Sequence, residues 1–407
     1  MSTKLKKILT SFFLVLTLLI SFGLGTYFGK SRVVCEICPP EEIDFSLFWE
    51  AWHKLQEKFA DKEKFDTQKM IYGAISGMVK SLEDPYTIFL NPEDSKRFIE
   101  DVKGTFEGVG MEIDIRKGQL QVISPLEGTP AQRAGLRAGD KILKINDTLT
   151  ADLMIDEAVN LIRGPKGTEV TLTIFREEWE KTKEIKIVRD VIEVPSLKWE
   201  LLASTGEAGG KKINDQKIAY IQLYQFSEKA SLDFRKAAIE ILNNPAQKII
   251  LDLRNNPGGY LEVAQDIAGW FLEREEVVVI EDFGEGKTEN TYRAQGNAAF
   301  TDYPIVILMN KGSASASEIL AGALRDDRGI KIIGEKSFGK GSVQELEKLG
   351  GGSSLKITVA KWLTPKGELI ADKGLEPDIK VEMTEEDYAE DRDPQLDKAI
   401  EVIKEMR

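Results

Sequence analysis

The chain has 407 residues, a net charge of −13 and a pI near 5.0. That length suggests about two or three domains, and so acidic a chain implies no nucleic-acid partner. A hydrophobic fraction of 42% provides for packed cores, while a single histidine, His53, excludes a histidine-rich zinc site and leaves most Ser-His-Asp and Cys-His systems without a base.

Lys4, Lys6 and Lys7 precede an uncharged stretch from Ile8 to Gly29. About 20 apolar residues span a hydrocarbon core of roughly 30 Å. No A-x-A cleavage pattern is present, so an uncleaved anchor at 8–29 is preferred to a cleaved signal. The lysines place the N-terminus inside and the body outside the cytoplasm, on the periplasmic or cell-surface side. Cys35-x-x-Cys38 follows. It reads as a structural disulfide in an oxidising compartment, with two idle thiols as the alternative.

Phe45, Phe48, Trp49, Trp52, Leu55 and Phe59 recur at helical spacing, and Met70, Ile71, Ala74, Ile75, Met78, Val79 and Leu82 repeat the pattern. These read as an amphipathic helical pair ending at Asp84-Pro85, used for core or dimer packing. Residues 104–190 carry short apolar runs and frequent glycines, interrupted by one helix from Ile155 to Arg163. They form a small, mostly β module. Residues 215–365 alternate strands (KIAYIQLYQF, KIILDLR, VVVIED, IVILMN, IKIIGE, LKITVAKWLT) with helices at about 228–244, 261–273 and 315–327, which argues for a layered α/β fold. A helix is expected within 385–407.

Three segments could carry chemistry. In Leu251-Asp252-Leu253-Arg254-Asn255-Asn256-Pro257-Gly258-Gly259 a strand enters a turn rich in accessible N–H groups, at the ligand edge of an open α/β sheet. It reads as an oxyanion hole or as an ordinary tight turn. In Gly312-Ser313-Ala314-Ser315-Ala316-Ser317-Glu318 a strand opens into a helix, whose positive end would stabilise an alkoxide. Simple N-capping is the bland reading. Three serines exceed what one cap needs, and spacing alone does not choose among them. In Ser337-Phe338-Gly339-Lys340-Gly341 a lysine lies between glycines. To act as a base it must lose about three pKa units, which burial can achieve.

Two rival motifs at Lys340 fail. Gly334-x-x-x-x-Gly339-Lys340 is followed by Gly341, so a P-loop's magnesium ligand is missing. Ser337-x-x-Lys340 needs a helical turn that Phe-Gly-Lys-Gly does not favour.

LDLRNNPGG, GSASASEI and FGKGSVQ, in this order, resemble the carboxyl-terminal processing peptidases, or tail-specific proteases. Asp84-Pro85-Tyr86-Thr87 and the 104–190 module share the resemblance, which covers nearly all the chain beyond residue 30. It implies Ser315 as nucleophile, Lys340 as base 25 residues on, and Gln344 as the residue orienting the lysine. It implies an oxyanion hole of Ala316 N–H with Gly259 or Gly258 N–H, and Asp326 as structural support. The 104–190 module resembles a PDZ domain, with Val109, Gly110 and Met111 in the loop that receives a peptide C-terminus. Arg163 matches an arginine coupling that pocket to the active site in some relatives; a surface salt bridge is its alternative.

The implied fold is multidomain α/β: an anchor (1–30), a helical segment (41–103), a β-rich PDZ domain (104–190), an α/β, crotonase-like peptidase core (195–380) and a C-terminal helix (385–407). The implied activity is serine endopeptidase cleavage of proteins recognised by their C-terminal tails, with no metal or cofactor and with homodimerisation as an expectation. The rivals are a catalytically silent PDZ scaffold and a different acyl-transfer hydrolase.

Overall fold

The computed structural model describes residues 12–24 and 43–406, except 117, 127, 152, 177, 203–206, 209–210, 213–216, 285, 372, 385, 388–389 and 391. The chain divides into two compact units, 1–71 and 72–407.

In the first unit, residues 12–24 form an exposed helix. Among the described residues no helix is long and apolar enough to cross a membrane. Residues 8–11 and 25–29 of the expected anchor, with Cys35 and Cys38, lie outside the described residues. The aromatic stripe falls on the helix Ser46–Lys58, where Phe48 meets Trp49 edge-on at 5.2 Å. Trp49 and Phe48 stay exposed.

In the second unit, the β module is an antiparallel sheet in the order Met111–Arg116, Gln119–Pro125, Lys141–Ile145, Glu169–Phe175, Lys183–Val188. Alternation turns Leu120, Val122, Val170, Leu172 and Ile174 into one core beneath the helix Ile155–Ile162. Met111–Arg116 is an edge strand, and its outer side faces that helix's groove.

The α/β core is a six-stranded sheet. Leu197–Leu201 runs antiparallel to Ile218–Leu223, which is followed in parallel by Lys248–Asp252, Ile305–Met309, Lys331–Gly334 and Ile379–Lys380. Period-two alternation splits these strands between two cores. Ile249, Leu251, Ile305 and Ile307 pack with the helices Ala230–Leu242, Leu261–Ala268 and Ala316–Arg328. Ile250, Val306 and Leu308 pack with the C-terminal helix Pro394–Glu405. Strands covered on both faces must be apolar throughout, as Ile305–Met309 is.

The expected strands VVVIED and LKITVAKWLT do not join this sheet. They form a second, antiparallel one, in which Ser354–Leu363 pairs with Ile88–Leu90, Val277–Asp282 and Ser342–Lys348. The segment carrying Lys340 and Gln344 therefore enters from a different sheet than the one carrying Ser315.

Candidate active site

The carboxyl ends of Lys248–Asp252 and Ile305–Met309 lead into two adjacent turns, as the parallel topology requires. A reciprocal amide pair ties the turns together. Asn310 Oδ1 accepts from Asn255 N–H at 2.9 Å, and Asn310 Nδ2 donates to Asn255 Oδ1 at 2.9 Å.

Two of the three serines are consumed by this joint. Ser313 Oγ donates to Leu253 O at 2.8 Å and Ser317 Oγ donates to Asn256 O at 3.0 Å; both are fully buried. Ser315 lies between them, half-buried, at the head of the helix Ala316–Arg328. Its backbone has φ 54° and ψ −116°. A non-glycine residue in that region is strained, as in nucleophile turns that push a serine out of the chain's path. The chain pays for this strain in a place where it presents a hydroxyl.

Gly258 lies against Ser315. At φ +98°, a Cβ there would fall 2.7 Å from Ser315 Cβ and 2.9 Å from Ala316 N. Its own N–H is already committed to Asn256 Oδ1 at 2.9 Å. Gly259 is pinned differently: Phe226 N–H donates to Gly258 O and Tyr260 N–H donates to Phe226 O, both at 2.9 Å, and a Cβ on Gly259 would sit 2.2 Å from Phe226 O. Ala316 N–H belongs to the first helical turn, whose N–H groups have no partner within the helix.

Glu318, fully buried one turn along the helix, joins these parts to the lysine loop. Its Oε2 accepts from Ser315 N–H at 2.8 Å and Lys340 N–H at 3.0 Å. Its Oε1 accepts from Gly339 N–H at 2.7 Å and Ser337 Oγ at 2.6 Å. Burial pushes the Glu318 carboxyl up, against those four bonds that favour the carboxylate. Phe338 N–H adds a bond to Ser313 O at 2.9 Å. Spacing had offered a signal for Glu318, because Ser-x-x-Glu is the capping-box pattern.

Burial pushes the Lys340 ammonium down, and the Glu318 charge partly opposes this. Lys356, on the neighbouring strand, is lowered by burial and by the Lys340 charge, with Asp84 opposing. The Lys340 charge thus adds to burial in disfavouring the Lys356 ammonium. Gln344 Nε2 donates to Ser342 O at 2.9 Å and Ser342 Oγ at 2.6 Å. Asp84, of the Asp-Pro-Tyr-Thr turn, accepts from Thr87 Oγ1 at 2.5 Å, and Thr87 Oγ1 accepts from Thr358 N–H at 3.0 Å, opposite Gln344. Asp326 lies three turns beyond Ser315, where its Oδ2 accepts from Lys366 N–H at 3.1 Å and fixes that turn.

In the β module, Phe106, Val109, Gly110, Met111, Ile113, Val159, Ile162 and Arg163 line a pocket of about 160 Å³. Gly110 has φ +78°, and a Cβ there would lie 2.5 Å from Thr129 Cγ2. Arg163 stacks on the Phe106 ring at 4.3 Å and binds Asp101 Oδ1 at 2.9 Å.

Family models match three stretches: "Peptidase family S41" over 217–381, "PDZ domain" over 121–176 and "Activating protease CtpB N-terminal domain" over 41–94. The chain is 34% identical to the carboxy-terminal processing protease CtpA of Bacillus subtilis, over 95% of this chain and 79% of that one. It is 36% identical to CtpB of the same organism, over 78% of this chain and 64% of that one. Among solved structures it resembles a photosystem II D1 C-terminal processing protease, at TM-score 0.51 and 29% identity, over 84% of this chain and 89% of that chain. An S41 protease from Bacteroides fragilis, at TM-score 0.56 and 14% identity, over 91% of this chain and 100% of that chain, shares the fold.

Proposed function

We propose a mechanism from this premise: the chain belongs to peptidase family S41, as a serine-type carboxy-terminal processing peptidase with a PDZ domain. In this reading Ser315 is the nucleophile and Lys340 the base. Neutral Lys340 takes the Ser315 proton as Oγ attacks a peptide carbonyl. The amine leaves with a proton returned by Lys340, and water then releases the acyl group. Ala316 and Gly259 N–H groups hold the oxyanion, each donor worth roughly 3–4 kcal/mol in comparable enzymes. Gly259 is preferred to Gly258 because the Gly258 N–H already serves Asn256. Gln344 Oε1 orients the lysine, and Asp326 supports the fold.

One observation carries this reading: Glu318 Oε2 receives both the Ser315 and the Lys340 backbone N–H. That brings the serine helix and the lysine loop to one point. Burial, which lowers Lys340, favours the neutral amine that this role needs.

The PDZ pocket receives the substrate's C-terminus. Met111–Arg116 is an unpaired edge beside that pocket, so a peptide can add as a strand while Val109, Gly110 and Met111 meet its carboxylate. Arg163, beneath the pocket and bound to Asp101, is placed to report occupancy to the core. The uncharged stretch 8–29 anchors the chain, with its peptidase part extracytoplasmic, and the aromatic face of Ser46–Lys58 serves a homodimer. The core is crotonase-like.

The test is cleavage of an unfolded protein with a free C-terminus by Ser315→Ala and Lys340→Ala chains. Both lose cleavage while tail binding persists. Retained turnover in either would overturn the dyad.

A further inference from the structure

The strand Lys248–Asp252 enters the glycine turn through Arg254, and Arg254 is held by an element outside the matched 217–381 region. Asp393 heads the C-terminal helix Pro394–Glu405 and caps it, its Oδ1 accepting from Leu396 N–H at 2.9 Å. The same carboxylate grips the Arg254 guanidinium with both oxygens, Nη1 to Oδ1 and Nη2 to Oδ2, each at 2.8 Å. Gln395, fully buried, accepts from Arg254 Nη1 at 3.1 Å through Oε1 and donates to Val381 O at 2.8 Å through Nε2. On its other side Arg254 meets Asp252, which has no exposed surface and also accepts from Tyr220 O–H at 2.6 Å. Burial opposes the Arg254 charge, but the Asp252 and Asp393 carboxylates outweigh it.

A guanidinium clamped by two carboxylates at fixed angles cannot swing. The next residue, Asn255, stands at φ 57°, and four residues on is Gly259. The Asn255–Asn310 amide pair ties that turn to its neighbour, and the Arg254 clamp fixes the residue through which the strand enters it.

We propose that Asp393 is a positioning residue for acyl transfer: through Arg254 it holds the Asn255–Gly259 turn where an N–H of that turn meets the developing oxyanion. This inference rests on the serine–lysine reading above. It extends that site to the C-terminal helix, on the opposite face of the sheet from the nucleophile helix.

The test is Asp393→Asn in the full chain. Asparagine caps a helix about as well as aspartate, so the C-terminal helix keeps its start while the bidentate charge is lost. With a fluorogenic peptide, kcat falls by about ten- to a hundredfold and KM stays level, because the oxyanion exists only in the transition state. Affinity for a peptide boronic acid, whose serine adduct puts an oxygen in the oxyanion site, falls by the same factor. Asp393→Glu recovers part of both. The inference is overturned if kcat and boronate affinity match the parent, or if the melting temperature drops while both hold per folded molecule. Ser315→Ala and Lys340→Ala run alongside. Should they stay active, the dyad fails; should they be inactive while Asp393→Asn is fully active, only the positioning role fails.

Discussion

Ser315 and Lys340 present their backbone N–H groups to the same oxygen, Glu318 Oε2, at 2.8 and 3.0 Å. A nucleophile heading a helix of one sheet and a base on the loop that enters another need a shared reference point, and this carboxylate is it. Glu318→Gln replaces an acceptor by an NH₂ that faces N–H donors. Turnover is expected to fall about a hundredfold, as for a displacement of about an ångström at the reacting atoms. Stability is expected to fall by about 1–3 kcal/mol, the cost of a buried polar group left unpaired. Steady-state kinetics and chemical denaturation check both.

The pH dependence separates the charges around Lys340. Activity in kcat/KM rises with pH as the free enzyme's Lys340 loses its proton, at a pH below the ordinary lysine value because burial lowers it. The Lys340 charge acts on Lys356, which burial also lowers, so Lys356→Met is expected to leave the rising limb in place. Glu318→Gln removes an attractive charge and moves the limb to lower pH. A Glu318→Gln limb that stays in place, or a Lys356→Met limb that moves, would contradict this electrostatic picture.

Stability should move opposite to function at Lys340. The unfolded lysine titrates near 10.4, whereas burial lowers it in the fold. Between those two values the unfolded state binds more protons, so stability rises with pH through that window and the full penalty applies below it. Lys340→Met removes the penalty. The variant is expected to be inactive yet to melt higher than the parent at pH 7, with the difference shrinking as pH approaches about 10.4. Calorimetry across pH 7–10 measures this.

The sequence made some of this legible for clear reasons. Apolar runs bounded by glycine and asparagine announced the strands ending in the NPGG and GSASASE turns, because strands buried on both faces have few ways to be written. Choosing Ser315 among three serines needed the family resemblance. The fold supplies the physical reason, since Ser313 and Ser317 bond across to Leu253 and Asn256. Which sheet each strand joins was not legible: VVVIED and LKITVAKWLT look like core strands locally, and their pairing is decided by partners far along the chain. The clamp of Arg254 by Asp393 was hidden for the same reason, as 139 residues separate them.

The serine triplet makes a direct contrast. Ser317→Ala is expected to cost about 1 kcal/mol, the usual net worth of one hydrogen bond, and to keep labelling by a fluorophosphonate. Ser315→Ala is expected to lose that labelling entirely with a melting temperature near the parent's. Labelling of Ser315→Ala at either neighbour would move the nucleophile.

Gly258 offers the sharpest geometric test. A methyl group there meets Ser315 Cβ at 2.7 Å and Ala316 N at 2.9 Å, from a backbone at φ +98° that alanine resists. Neither neighbour can retreat, because Ala316 is packed in the core and Ser315 is held through its N–H by Glu318. Gly258→Ala must therefore push the turn and the nucleophile apart. The expected loss is about 10²–10³-fold in kcat, the size of a lost oxyanion donor. Binding of a C-terminal peptide to the PDZ pocket, read by fluorescence anisotropy, is expected to persist, since that pocket is lined by residues 106–163 alone. Loss of both together would mean that the turn supports the fold rather than the reaction.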